Sequence, residues 1–296
     1  MKRLILILGG LIALVLLGVA LVVAVSEARL AQEHLLDFPP LPIPDDAASV
    51  AQGRHLLTLA KCGECHGDDL AGKVFIDAPF IARLSGPNLT PAGPVGERSN
   101  TELVAAIRYG VGASGLALMG MPTKEHFHFS DDELSTMIAA IRALRPVPRE
   151  LPPQQLGLLF RALYITGKIE LIGLEEVDIY GPRPPAVTPE VSLEYGEHLA
   201  RTGGCYSCHG ERLAGGTMPG APPDFPPAAD ITPHEDGLAG WSDSDFSRAM
   251  RAGIRPNGTA IDPAMPWRYS QEMTKAELAA LWMFIQSVPP VAYDQN

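Results

Sequence analysis

An uncharged run from Leu4 to Val25 dominates the hydrophobic pattern of this chain. As a helix it spans about 33 Å at 1.5 Å per residue, enough to cross the hydrocarbon core of a bilayer. Lys2 and Arg3 precede it, and basic flanks stay in the cytoplasm, so the rest of the chain is predicted on the other side. We predict a transmembrane anchor over residues 1–28. A cleaved signal peptide is the alternative, because residues 24–26 loosely resemble a cleavage site.

After this run the apolar positions recur with the spacing of amphipathic helices. Four segments begin with a capping-box pattern, in which a Ser or Thr is followed three residues later by an acidic residue. They start at Ser99, Ser130, Ser242 and Thr274. In two of them the apolar residues share one face: Leu134, Met137, Ile138 and Ile141 in the first, and Leu278, Leu281, Trp282 and Ile285 in the second. No strand alternation competes, so the chain is predicted to be all-α.

These segments belong to a repeat with a period of about 143 residues. Residues of unlike type recur in the same order, and the register drifts by a single residue. The matched pairs include Cys62 and Cys205, Leu70 and Leu213, Thr90 and Thr232, Arg108 and Arg251, Gly110 and Gly253, Met121 and Met265, Glu133 and Glu277, and Pro146 and Pro290. Agreement over so many residue types indicates duplication of a whole domain.

The repeat divides the chain into two tandem domains and their connections. We predict domains over residues 47–150 and 188–296, with a connector over residues 151–187 in which residues 154–171 form a helix. Residues 29–46 are rich in proline and are predicted to form an extended stalk. A proline-rich strip packed on the protein is the alternative.

The formal net charge of -11 limits the class of partner. Such a surface repels the phosphate backbone, so nucleic acid is excluded. A partner with a basic patch is favoured instead.

All four cysteines lie in two Cys-x-x-Cys-His motifs, which run from Cys62 to His66 and from Cys205 to His209. This is the attachment pattern of c-type haem, in which two thiols add to the porphyrin vinyl groups and the histidine reaches one face of the iron. Two covalently bound haem c groups are therefore predicted. The thiols that would hold them are Cys62, Cys65, Cys205 and Cys208. A zinc site of four thiols, or a disulfide in each motif, is the weaker alternative because neither uses the histidines.

The cofactor agrees with the topology that the N-terminal run predicts. Because c-type haem is attached outside the bacterial cytoplasm, the haem domains are expected in the periplasm. The protein is then a single-pass protein of the bacterial inner membrane.

The axial ligands of the two irons decide what chemistry is expected. His66 and His209 each supply one ligand. Met121 follows His66 by 55 residues and Met265 follows His209 by 56, each directly before a proline. A thioether suits the iron of an electron carrier, so these methionines are the predicted ligands of the opposite faces.

Other methionines and histidines compete with this assignment. Met119 has no counterpart in the second unit, and Met218 follows its motif too closely to cross easily to the other haem face. His126, His128 and His234 are not repeated between the units, so they are expected to be solvated loop residues.

Two further repeated pairs carry polar side chains. His55 and His198 lie in the helices that enter the motifs and are expected to pack or bond at the surface. Arg108 and Arg251 are expected either to be exposed on a helix or to pair with haem propionates.

Both units resemble class I cytochrome c domains, from about Ala47 to Pro148 and from about Thr188 to Val291. The second unit is similar to the cytochrome subunits of periplasmic alcohol, sugar and aldehyde dehydrogenases. The residues that carry this likeness are Ile231-Thr232-Pro233, Gly240-Trp241-Ser242-Asp243, Arg251-Ala252-Gly253 and Met265-Pro266-Trp267. The resemblance implies a dehydrogenase as the electron donor, and a terminal oxidase or a soluble cytochrome as the acceptor.

The first unit departs from this pattern at two positions. It has Arg98 where the second has Trp241, and Ile138 where the second has Trp282. The two haems are therefore expected to differ in environment and potential.

The expected function is electron transfer by a membrane-anchored two-haem cytochrome that is supplied by a periplasmic dehydrogenase or a quinol-oxidising complex. No acid/base constellation is visible, so no catalytic residue is predicted and the chain is expected to be a carrier, not an enzyme. Two alternatives stay open: a two-haem peroxidase with one open iron face, and a haem subunit of a larger respiratory complex.

Overall fold

The computed structural model describes residues 2–218, 221 and 224–293 of the chain. The backbone there is mostly helical, which confirms the predicted fold class. Its α-helices are α1 (Lys2–Leu30), α2 (Ala47–Leu59), α3 (Cys62–His66), α4 (Asn100–Tyr109), α5 (Thr123–His126), α6 (Asp131–Arg142), α7 (Leu158–Ile165), α8 (Leu193–Thr202), α9 (Cys205–His209), α10 (Asp243–Ala252) and α11 (Lys275–Ser287). Short 3-10 helices lie at Pro94–Glu97, Gly173–Glu176 and Trp267–Glu272.

The N-terminal helix α1 is long and apolar enough to cross a membrane by its length and composition. It continues beyond the predicted anchor to Leu30. Large apolar side chains along its first three-quarters are exposed, as a lipid-facing helix requires.

Each unit is held by a close crossing of its entering and closing helices, where α2 packs on α6 and α8 packs on α11. A Cβ on Gly53 would lie 1.9 Å from the carbonyl oxygen of Thr136. At the equivalent crossing, a Cβ on Gly196 would lie 2.1 Å from the carbonyl oxygen of Ala280. The helix backbones therefore touch at two equivalent glycines, where any side chain would separate them.

All four predicted capping boxes are present, at the starts of α4, α6, α10 and α11. In each, the Ser or Thr hydroxyl accepts a backbone N–H three residues on, and the acidic side chain accepts the backbone N–H of the cap. The predicted apolar faces are also buried, except that Trp282 in α11 is only partly buried. Leu134, Met137 and Ile138 in α6 have no exposed surface.

Three short antiparallel strands, two in the first unit and one in the connector, depart from the all-helical prediction. β1 (Lys73–Ala78), β2 (Ala82–Gly86) and β3 (Gln155–Leu156) pair in the order β1-β2-β3. The alternation in β1 is weak because the strand is partly exposed along its whole length and its register shifts between Val74 and Ile76. A sheet of this kind has no clear period-two signal in the sequence.

The connector contains the α-helix α7 and the 3-10 helix at Gly173–Glu176, and α7 is shorter than the sequence predicts. Gln155 and Leu156 belong to the sheet instead, and Gly157 forms the N-cap of α7 in an extended conformation. The helix packs along the end of α1, so the connector contacts the N-terminal helix as well as joining the two units.

The proline-rich segment lies on the protein instead of standing away from it. Phe38, Leu41 and Ile43 pack against the core of the first unit, and the Phe38 ring lies 5.6 Å from the Tyr109 ring. For residues 29–46 the structure therefore favours the packed strip over the extended stalk.

The two units contact each other through a reciprocal pair of hydrogen bonds. His55 Nε2 of the first unit lies 2.8 Å from Glu277 Oε1 of the second. His198 Nε2 of the second unit lies 2.7 Å from Glu133 Oε1 of the first. The histidines are equivalent in the repeat and so are the glutamates, so the duplicated domains meet with pseudo-two-fold symmetry.

The contact between His55 and Glu277 favours the charged forms of both groups. The hydrogen bond to Glu277 raises the pKa of His55 above its ordinary value of 6.5. Burial alone would raise the pKa of Glu277, but hydrogen bonds from His55 and Thr274 hold it below its ordinary value of 4.5. Both groups are therefore charged between pH 4.5 and pH 6.5, and their contact is an ion pair in that range.

We expect His55→Gln to weaken the folded protein by about 1–3 kcal/mol at mildly acidic pH, because a hydrogen bond to a charged group is lost. Because the pKa of His55 is raised in the folded state, protonated His55 stabilises the folded protein fully below pH 6.5. This stabilisation is lost as pH rises through the raised pKa. Thermal unfolding midpoints of both proteins, measured from about pH 5.5 to about pH 9, should therefore converge as pH rises.

The control is Gln154→Ala, which removes a neutral hydrogen bond from Gln154 to the carbonyl oxygen of Ser85 at 3.2 Å. Because no titratable group is lost, its difference from wild type should not change with pH in this way. A constant gap between wild type and His55→Gln across the pH range would contradict the ion-pair assignment.

Candidate functional site

Each Cys-x-x-Cys-His motif forms a single helical turn, α3 or α9, directly after the entering helix. The residue before each turn, Lys61 or Gly204, has a left-handed backbone. This sharp change of direction lets the motif leave the entering helix and face the interior of its unit.

The motif histidines are held by equivalent hydrogen bonds. His66 Nδ1 lies 2.8 Å from the carbonyl oxygen of Pro87, and His209 Nδ1 lies 2.6 Å from that of Ala229. Each Nδ1–H therefore donates, which fixes the ring and leaves Nε2 with a lone pair for a metal. Burial lowers the pKa of both histidines, against the opposing effect of the carbonyl bonds, so the rings are neutral. A neutral, oriented imidazole fits the role of a haem-iron ligand.

No disulfide joins Cys62, Cys65, Cys205 or Cys208. Desolvation raises the pKa of Cys62 to about 12 and that of Cys205 to about 11. Cys62 and Cys65 line one cavity, whereas Cys205 and Cys208 line another, so the structure does not bring the four thiols together into one zinc site.

Each motif opens into its own cavity. The first cavity, of about 550 Å³, is lined by Cys62, Cys65, His66 and Met121. The second, of about 190 Å³, is lined by their counterparts Cys205, Cys208, His209 and Met265. The structure thus brings together the predicted thiols, histidine and methionine of each unit. The donor set in both cavities is the one that covalent haem c uses.

The rival methionines lie in the same cavities, which sequence spacing does not reveal. Met119 lines the first cavity and Met218 lines the second. Each cavity therefore contains the predicted methionine together with its rival.

The expectation that His126 is a solvated loop residue is wrong. His126 is almost fully buried and lines the first cavity. Desolvation lowers its pKa to about 4, so the ring is neutral, and its Nδ1 has no hydrogen-bond partner among the described residues. His126 is therefore a candidate functional residue. The polar residues around it in the sequence do not indicate that it is buried.

The repeated arginines Arg108 and Arg251 hydrogen-bond to the protein and do not line either cavity. Arg108 is fully buried and donates to Asp131 Oδ1 at 2.6 Å and to the carbonyl oxygen of Phe129 at 2.7 Å. Arg251 donates to the carbonyl oxygens of Gln271 and Met273. Both side chains therefore fix the segment that leads into the closing helix. Exposure on the helix is wrong for Arg108, which is buried, and holds for Arg251, which is exposed. Pairing with haem propionates stays a prediction.

Comparison with known families identifies both units. Residues 193–289 match the family model described as cytochrome c, and residues 48–139 match the model described as cytochrome c oxidase, cbb3-type, subunit III. The chain contains two cytochrome c domains.

Curated relatives of these cytochrome c domains include subunits of dehydrogenases. The chain is 32% identical over 127 residues to the cytochrome c subunit of a quinone alcohol dehydrogenase from Gluconobacter oxydans, covering 41% of this chain and 26% of the relative. It is 36% identical over 106 residues to the gluconate 2-dehydrogenase cytochrome c subunit of Pantoea cypripedii, covering 34% and 24%. A diheme cytochrome c-type protein of Cereibacter sphaeroides is 31% identical over 107 residues, covering 32% and 36%. The matches span about a quarter to a third of the relatives' lengths.

A close approach behind the first cytochrome c motif gives a test of how the motif is positioned. A Cβ on Gly86 would lie 2.3 Å from the carbonyl oxygen of Cys65 and 3.1 Å from His66 Nδ1. We expect Gly86→Ala to lower stability by about 1–3 kcal/mol, because the loop that carries Pro87 must move.

The matched control is Gly240→Ala, because a Cβ on Gly240 would meet no atom within 4 Å. Thermal unfolding of both variants measures the difference. Equal midpoints for Gly86→Ala and wild type would show that the loop moves freely and does not fix His66.

Proposed function

We propose that this protein is a membrane-anchored two-haem c-type cytochrome that transfers electrons and has no substrate of its own. Cys62, Cys65, Cys205 and Cys208 would hold the haems covalently. His66 with Met121, and His209 with Met265, would be the axial ligands. When bound, haem iron supplies one-electron chemistry through its ferrous and ferric states. The oriented neutral histidines and the shared cavities support this assignment.

The contact that carries the proposal joins the two motifs. Lys61 lines both cavities, and its Nζ donates to the carbonyl oxygen of Gly203 at 2.6 Å. Lys61 directly precedes Cys62, and Gly203 stands two residues before Cys205. A short chain of covalent bonds and one hydrogen bond therefore connects the thiols of one unit to those of the other. Such a connection favours a relay between two cofactors over two independent sites.

The proposed partners follow from the relatives and from the anchor. A periplasmic dehydrogenase is the proposed donor, since several relatives are cytochrome subunits of dehydrogenases. A quinol-oxidising complex is the other donor class. A terminal oxidase or a soluble cytochrome is the proposed acceptor. With α1 spanning the bacterial inner membrane once, both units would lie in the periplasm.

The axial assignment is tested by replacing each methionine with alanine. Met121→Ala or Met265→Ala should make one of the two haems high-spin, let it bind carbon monoxide and lower its potential, because a thioether ligand is lost. Absorption spectra with and without carbon monoxide, together with a redox titration, measure these changes.

The matched controls are Met119→Ala and Met218→Ala, which should leave both haems low-spin. If Met119→Ala opens an iron site and Met121→Ala does not, the ligand assignment in the first unit is reversed. The same holds in the second unit for Met218→Ala and Met265→Ala. A wild-type protein with one haem that readily binds carbon monoxide would favour the peroxidase alternative, and peroxide turnover would then be measured.

The relay is tested at Lys61. Lys61→Met should slow electron exchange between the haems, because the hydrogen bond to Gly203 is lost. It should also lower the potentials of both haems, because a cation that lines both cavities is removed. Lys61→Arg, which keeps the charge, should largely preserve the potentials. Flash-induced electron redistribution and a redox titration report the two effects separately, and unchanged values in both would refute the bridge.

A further inference from the structure

Four large apolar side chains form an exposed patch on the first unit. They are Phe80, Ile81, Leu158 and Leu159, and we call them the apolar patch. Phe80 is 98% exposed and stands at the tip of the β1–β2 hairpin with a left-handed backbone, φ 65°. A bulky residue in that conformation is strained, and its ring has no packing on the protein to offset the strain. A contact outside the protein accounts for both features.

The two segments of the patch are joined by backbone contacts. The N–H of Gly157 donates to the carbonyl oxygen of Ile81 at 2.7 Å. A Cβ on Gly157 would lie 2.0 Å from the carbonyl oxygen of Phe80, so no side chain separates the hairpin tip from the start of α7. The apolar patch is therefore one continuous surface.

The position of α7 relates this surface to the anchor. Arg161 donates to Ser26 Oγ at 2.8 Å and pairs with Glu27 at 2.7 Å. One turn later, Tyr164 stacks under the guanidinium of Arg29, which lies 5.5 Å from the ring centre. The residue further along α7 contacts the residue further along α1, so the two helices run in the same direction.

This register places the patch at the depth of the bilayer. Leu158 stands three residues before Arg161 and is therefore level with about Val23, three residues before Ser26. Val23 lies inside the uncharged run from Leu4 to Val25. A water-soluble partner would have to enter the membrane to reach this level, whereas lipid is already there.

Charged residues limit how deep the hairpin can enter. Asp77 and Arg83 face each other across the hairpin, each three residues from Phe80, and form an ion pair at 3.0 Å. At about 3.3 Å per residue the apolar tip extends at most about 10 Å beyond this pair, within the depth to which interfacial apolar groups are buried in a bilayer.

We propose that the apolar patch inserts into the membrane interface beside α1 and holds the first unit at a fixed orientation on the bilayer. The inference rests on the proposed anchoring by α1, and it adds a second, non-spanning contact with lipid. The ligand is the lipid surface itself, at the junction of headgroups and acyl chains. A second copy of the chain or another protein would be a different occupant of the same patch.

The test uses the full chain, reconstituted in vesicles of phosphatidylethanolamine and phosphatidylglycerol, with a photoreactive benzoyl-phenylalanine in place of Phe80. The control carries the same group in place of Leu193, which is 49% exposed at the start of α8 in the second unit. After illumination, mass spectrometry identifies adducts. We expect several-fold more lipid adduct at position 80 than at position 193. An adduct to a second copy, or equal lipid labelling at both positions, would overturn the proposal.

Flotation of the vesicles tests anchoring by α1 independently of the apolar patch. Protein that floats with the vesicles but gives no lipid adduct at position 80 refutes the patch and leaves the anchor intact. Protein that fails to float refutes both. A probe in place of Leu158 gives an independent reading from α7 and should also label lipid, since it lies on the same surface.

Discussion

The crossing of the entering and closing helices is the constraint on which both units depend. At Gly53 and Gly196 the helix backbones touch, so neither helix can slide or rotate without a clash. The motif turn follows the entering helix after only two residues, and the crossing therefore also fixes where the motif begins. The carbonyl bond to the histidine then determines how its ring faces the cavity. Packing and cofactor chemistry are linked through these few residues.

The glutamates that cap the closing helices also contact the other unit. Glu133 accepts the backbone N–H of Ser130 with Oε2 at 2.8 Å, and its Oε1 contacts His198 of the other unit at 2.7 Å. A local feature that starts a helix is thus also a contact between domains. Duplication explains how this arises, since one pair of complementary residues yields two contacts when equivalent surfaces meet about a two-fold axis.

Features set by neighbouring residues are predictable from this sequence, and features set by distant ones are not. The two motifs and the four capping boxes depend on residues within a single turn. The β1–β2 hairpin lacks a clear alternation, and the burial of His126 arises only when the fold closes a cavity around it. The repeat finds Met121 and Met265 as candidates, but only the cavities show how close their rivals lie. A usable signal for the domain contact does exist, because a basic and an acidic residue, His55 and Glu277, both recur at equivalent positions.

The packing of the proline-rich strip on the first unit determines how the protein can search for a partner. A free linker of ten such residues would give the head a radius of action of about 30 Å. Here Phe38, Leu41 and Ile43 hold that length against the core. With α1 in a membrane, the first unit then stays close to the bilayer surface. A soluble or membrane-bound partner therefore has to come to that surface, and lengthening the strip without freeing it would not extend the reach of the unit.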